Sequence, residues 1–229
     1  MTRNTPTALA RPSPAILADL AGRCLLLILM VFIGQGAWSR ASALRPAASL
    51  GDFLTFSSEI GAFLFAGLVC LLVVIRPPAQ CRASGWKAHA AALGAAYILT
   101  VANRMPIASL PVGWTALAAC LLAVGNLGAV YCLAWLGTSF SILPEARRLV
   151  REGPYRRVRH PLYLAEAVAT AGLILLHWSV IALAAGAVQF LLQFYRLLQE
   201  EKVLAAAFAD YSDYAAATPR LLPRFLPRR

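Results

Sequence analysis

Six apolar runs, at residues 15–38, 53–75, 88–102, 112–136, 162–176 and 180–198, set the terms on which this chain can fold. A helix needs about 20 mostly apolar residues to cross the hydrocarbon of a bilayer. Backbone amides in hydrocarbon must find partners within their own segment, which leaves helices as the structure for runs of this kind. Composition agrees, with 60% hydrophobic and 14% charged residues, where a soluble domain carries about a quarter charged. The expected fold class is all-α: an integral membrane helical bundle with five or six transmembrane helices. An amphipathic helix from residue 200 to about 216 is expected to follow it on the cytoplasmic side. The third run is short and rich in alanine. The last two are separated only by His177, Trp178 and Ser179, so they form either two spans or a tight helical hairpin dipping into the membrane. The whole chain, 1–229, reads as a single membrane domain, with N-terminal helices over 1–136 and the motif-bearing part over 137–223.

The net charge of +11 is a statement about topology before it is one about ligands. With the N-terminus inside, 18 of the 21 Lys and Arg residues fall on the cytoplasmic side, and only Arg40, Arg45 and Arg104 on the other. Both termini are therefore expected in the cytoplasm. Ala41-Ser42-Ala43 resembles a signal-peptidase site, but the fourteen residues before the first run and its length suit an uncleaved anchor better. The five cysteines form no CxxC pair, and four of them lie in apolar runs, where a thiol behaves as a small hydrophobe. Neither a disulfide framework nor a metal site is expected. His89, His160 and His177 stand on separate segments, and no Rossmann, P-loop or HExxH pattern occurs. Nucleic acid is not an expected partner, because the basic residues cluster on one membrane face.

Polar residues inside a membrane helix are costly and point to function. Gln189, Gln193, Arg196 and Glu200 are spaced 4, 3 and 4 apart and share one helical face, with Glu201 beside the acidic end. Such a stripe lines a cleft apolar at one end and charged at the other; interhelical hydrogen bonding is the competing explanation. A second stripe, Arg159, Tyr163 and Glu166, starts the fifth run, where Pro161 suits a first helical turn. Glu166 has a plainer reading as a salt-bridge partner for an arginine of the preceding loop.

The segment Gly153-Pro154-Tyr155-Arg156-Arg157-Val158-Arg159-His160-Pro161-Leu162-Tyr163 resembles the GxYxxxRHPxY motif of membrane methyltransferases related to isoprenylcysteine carboxyl methyltransferase. Arg196-Leu197-Leu198-Gln199-Glu200-Glu201-Lys202-Val203-Leu204 is similar to that family's RxxxEExxL, and Tyr211, Tyr214 and Pro219-Arg220-Leu221-Leu222-Pro223 to its ending. Phe208 stands one position closer to Tyr211 than the family's Phe does. The resemblance implies methyl transfer from S-adenosyl-L-methionine at the cytoplasmic membrane face. Carried over by position, the cofactor contacts are Arg147, Arg148, Leu149, Val150, Tyr155, His160, Pro161, Leu162, Tyr163 and Glu200, with Glu201 adjacent. Arg196 and Glu200 are the expected catalytic residues. Arg196 faces the substrate, joined by Gln193 and Gln189. The ligand's chemistry suits these residues: a carboxylate for His160 or Arg159, an ammonium for Glu200, a sulfonium for an aromatic face such as Tyr155, and adenine for Leu149 and Val150. The apolar end of the stripe suggests a lipophilic acceptor drawn from among the membrane lipids. A carboxylate such as that of a prenylcysteine-like group is favoured, with a phospholipid amine or small thiol as alternatives. An NADPH-dependent membrane reductase and a non-enzymatic membrane protein are the rival functions.

Overall fold

The computed structural model describes residues 14–44, 49–77, 79, 81–82, 90–91, 94–95, 98, 106–141, 143 and 145–223. Four of its helices are long and apolar enough to cross a membrane. They are α1 (Pro14–Ala43), α2 (Leu50–Ile75), α3 (Val112–Leu136) and, after the shorter α4 (Pro161–Leu176), α5 (Val180–Ala207). A final short helix, α6 (Tyr211–Ala217), closes the described chain. The protein is thus an all-α membrane bundle. Most of the third apolar run lies outside the described residues; residues 90, 91, 94, 95 and 98 are helical, and a Cβ added at Gly94 would sit 3.3 Å from Leu192 of α5.

Helix ends follow local chemistry. Ser49 and Ser179 cap α2 and α5, their hydroxyls accepting from Asp52 N at 3.0 Å and Ala182 N at 3.1 Å; such caps contribute about 1 kcal/mol each. Pro161 opens α4 at a position where its missing N–H costs nothing. The His177-Trp178-Ser179 link is a tight turn, so α4 and α5 form a hairpin. The amphipathic segment expected from 200 to about 216 is divided. Its first part continues α5 without interruption. Phe208 then turns extended (φ −128°, ψ 115°), and the chain re-enters helix at Tyr211. No glycine or proline marks that break.

Consecutive helices pack side by side, α1 on α2, α2 on α3, and α3 most extensively on α4. Leu26, Leu29 and Met30 of α1, Val69, Leu72 and Val73 of α2, and Cys132 and Leu133 of α3 make one apolar core. It reaches Phe140 and Leu162 at the end of the bundle where the arginine-rich loop returns. A two-residue antiparallel bridge, β1 (Cys81–Arg82) to β2 (Glu145–Ala146), ties the segment after α2 to that loop. The α3–α4 seam is built from small residues, as helix pairs in lipid require for close approach. A Cβ on Gly125 would lie 2.4 Å from Ala169 N, and one on Gly172 2.8 Å from Ala118 O.

Because backbone stands opposite Gly125, Gly125→Ala must separate the two helices. It should destabilise the protein by about 1–3 kcal/mol, seen as a lower thermal midpoint of the full chain in detergent. An unchanged midpoint would show that α3 and α4 are not packed this closely.

Candidate functional site

The last turns of α5 carry the polar stripe into the bundle. Gln189, Gln193 and Arg196 are all buried. Gln193 Nε2 donates to Glu166 Oε2 at 2.7 Å, so Glu166 is satisfied from α5. Gln189 Oε1 is buried with no hydrogen-bond partner among the described residues. Arg196 is held from two sides: its Nη2 donates to Ser141 O at 3.1 Å, and its guanidinium lies 5.1 Å from the centre of the Tyr163 ring. One turn on, Glu200 accepts from the Tyr163 hydroxyl at 2.7 Å. The two α5 groups expected to serve substrate and cofactor thus share Tyr163 as a neighbour.

Glu201 has a different role. Its Oε1 lies 2.9 Å from Arg159 Nη2 and 3.2 Å from His160 Nε2, and its Oε2 lies 2.9 Å from Arg220 Nη2. This carboxylate joins α5 to the RHP corner and to the C-terminal segment. The same segment adds backbone ties: Arg159 N to Pro219 O at 2.8 Å and His160 N to Arg220 O at 3.0 Å. Arg159 Nη1 donates to Ala215 O at 2.7 Å. On the other side of the loop the Tyr214 hydroxyl donates to Tyr155 O at 2.7 Å, and Arg151 pairs with Asp210.

The Gly153–Arg156 turn fixes Tyr155. Gly153 has φ +56°, and a Cβ there would meet the Trp135 ring at 2.5 Å, so both conformation and space require glycine. Tyr155 is buried, and its hydroxyl donates to Cys132 O at 3.3 Å. Burial pushes its phenol well above the usual range and lifts Tyr214 to about 12, so both stay protonated donors.

Two cavities adjoin here. Both are lined by Leu136, Ser139, Glu145, Tyr155, Arg159, His160 and Glu200. The first adds Leu162, Tyr163 and Arg196; the second adds Arg147, Arg148, Leu149, Val150, Tyr211 and Tyr214. The residues expected from the motifs are therefore brought together at one end of the bundle, with three qualifications. Gln189 and Gln193 extend the stripe but do not line either cavity. Pro161 sets the helix start. Arg147 is engaged in a buried 2.6 Å pair with Glu145 and donates to Pro77 O at 2.8 Å, which anchors the loop to the end of α2, while Arg148 is exposed. Sequence reasoning missed Ser141 and Glu145. The Ser141 hydroxyl accepts from Arg76 at 3.2 Å and donates to Glu145 at 2.8 Å, while its carbonyl holds Arg196. The signal for Glu145 was an acidic residue beside an arginine-rich loop.

Glu201→Ala would strip the common partner from Arg159, His160 and Arg220. Arg159 and His160 are largely buried, so the loss should be about 3 kcal/mol. It should appear as a lower thermal midpoint together with faster protease cleavage within residues 208–220. Cleavage no faster than in the wild type would show that Glu201 does not hold that segment.

Residues 114–211 match the model of the phospholipid methyltransferase family. The chain is 34% identical over 115 residues to the nickel-cobalt-cadmium resistance protein NccN of Alcaligenes xylosoxydans xylosoxydans, covering 48% of this chain and 53% of that one. It is 35% identical over 109 residues to the cobalt-zinc-cadmium resistance protein CzcN of Cupriavidus metallidurans, covering 45% and 50%. The chain thus spans about half the length of these curated relatives. The matched family segment contains the RHPxY and RxxxEE residues that line the two cavities, and over residues 114–211 this chain is similar to the phospholipid methyltransferase family.

Proposed function

We propose that the protein transfers a methyl group from S-adenosyl-L-methionine to a lipophilic acceptor, with a carboxylate favoured as the nucleophile, at the cytoplasmic face of the membrane. The observation that carries this reading is the pairing of Arg196 and Glu200, one turn apart on α5, on a cavity that joins an apolar wall to a charged one. The fit to the ligand rests on buried donors without partners among the described residues, Arg159 Nε and Arg196 Nε, on arginines that line the same cavity as a carboxylate, Glu200. When bound, S-adenosylmethionine supplies an electrophilic methyl on a sulfonium centre. Glu200 is the group that answers its ammonium. Arg159 brings positive charge to its carboxylate, with the His160 ring beside it, and Leu149, Val150 and Leu204 offer an apolar wall for adenine.

Arg196 is assigned to the acceptor. A guanidinium binds a carboxylate through two parallel N–H bonds and so orients it for in-line attack. Its hold by Ser141 O and the Tyr163 ring keeps that orientation fixed. A carboxylate needs no general base, which suits a site where the acidic groups nearest the arginine are already hydrogen bonded. Leu136, Phe140, Leu143 and Leu162 line the same cavity and exclude water from the reacting atoms. Basic loops gather at the cavity's end of the bundle, and on this proposal they face the cytoplasm, where a soluble cofactor would reach the mouth while the apolar helix faces are left to an acceptor from the bilayer.

Purified protein in detergent should bind S-adenosylmethionine and S-adenosylhomocysteine in calorimetry; absence of binding to either overturns the proposal. With a prenylcysteine carboxylate as acceptor, Arg196→Ala should abolish turnover while cofactor affinity changes by less than about threefold. Glu200→Ala should weaken the cofactor by about tenfold or more, as loss of a charge-assisted hydrogen bond does. The reverse split would exchange the two assignments.

A further inference from the structure

Four tyrosines line the two cavities, and three of their hydroxyls are used within the fold. Tyr155 donates to Cys132 O, Tyr163 to Glu200 and Tyr214 to Tyr155 O. The fourth, Tyr211, is buried at the first turn of α6, and its hydroxyl has no hydrogen-bond partner among the described residues. Buried hydroxyls without partners are rare in native proteins and call for an explanation, such as a bound ligand or water.

Arg159 is its neighbour in the same cavity. The guanidinium is immobilised, with Nη1 on Ala215 O, one turn along α6 from Tyr211, and Nη2 on Glu201. Its Nε is likewise buried and without a partner. Two residues lining the second cavity thus carry buried donors without partners among the described residues, one of them on a cation. Burial drives the Tyr211 phenol well above its usual range, so it remains a donor across the physiological pH range. A neutral heterocycle edge asks for acceptors as well as donors, whereas a carboxylate accepts from two donors at once and matches the positive charge.

We infer that Tyr211 and Arg159 together form the subsite for the α-carboxylate of the bound cofactor, so that α6 is part of the binding site. This rests on the cofactor reading above and adds to it a residue that the RHPxY and RxxxEE motifs do not contain. It also gives a physical reason for the chain break at Phe208. An uninterrupted α5 would carry Tyr211 away from the cavity; the break leaves it lining the same cavity as Arg159.

The test compares S-adenosylhomocysteine with its decarboxylated analogue, which keeps the adenosine, sulfur and amine but lacks the carboxylate, by calorimetry on the full-length protein in detergent. Wild-type protein should bind S-adenosylhomocysteine at least about tenfold more tightly than the analogue. Tyr211→Phe, which keeps the ring and its packing, should lose most of that preference by weakening S-adenosylhomocysteine alone. Tyr211→Phe with unchanged affinity for both ligands, or with both weakened alike, overturns the inference; so does a wild type that binds both equally. A wild type that binds neither overturns the cofactor reading itself.

Discussion

The site depends on one carboxylate placed among two arginines and a histidine. Glu201 lies within 3.2 Å of Arg159, His160 and Arg220, and those residues belong to the loop before α4 and to the segment after α6. Charges taken out of water must be paired to be tolerated, so the pairing dictates where these pieces meet. With Glu201 committed to the framework, its neighbour Glu200 is left at the cavity wall with Tyr163 as its partner. Two adjacent glutamates on one helix thereby divide, one paired within the framework and the other at the cavity wall. Successive residues point about 100° apart around a helix, which allows the division.

The N-terminal helices matter through the same logic. They carry no motif, yet the end of α2 supplies Pro77 O to Arg147, and Arg76 to Ser141. Ser141 in turn presents its carbonyl to Arg196. A buried pair, Glu145 and Arg147, locks this corner. The arginine proposed to grip the acceptor is thus positioned by groups from three parts of the chain: the end of α2, the loop after α3, and α4 through the Tyr163 ring. None of these contacts lies in the hydrocarbon-facing surface, where the large exposed side chains are apolar, as for Ile28, Val74, Val124 and Leu191.

Much of this was legible in the residues. Apolar runs gave the helices, Pro161 the start of α4, and the 4-3-4 spacing the face shared by Gln189, Gln193, Arg196 and Glu200. What periodicity cannot show is which member of a charged set is consumed by another. Arg147 and Arg148 are adjacent and alike in sequence, yet one is buried against Glu145 and the other is exposed. Glu166 suggested an arginine partner but is met by Gln193, because the α4–α5 hairpin brings that amide closer than the loop. The break after α5 was invisible for a related reason. Phe208 and Asp210 are no strong helix breakers; the tertiary bonds of residues 214–220 to Tyr155, Arg159 and His160 select the turn, and such interactions override a weak local preference.

The six arginines of the loop show how a net charge becomes a site. Arg147, Arg151 and Arg159 are drawn into ion pairs with Glu145, Asp210 and Glu201, whereas Arg148, Arg156 and Arg157 remain exposed. Exposed cations at a membrane surface raise the local concentration of anions and set orientation, but salt screens them and they confer little specificity. Specific binding needs donors fixed in a low dielectric before the ligand arrives, because such groups need not reorganise. Arg159 meets that condition through its bonds to Glu201 and Ala215 O, and Arg196 through Ser141 O and Tyr163. The basic character of the chain therefore separates into two physical roles. An outer set faces water, and an inner pair, immobilised by acidic, carbonyl and aromatic neighbours, stands at the cavity where cofactor and acceptor are proposed to meet.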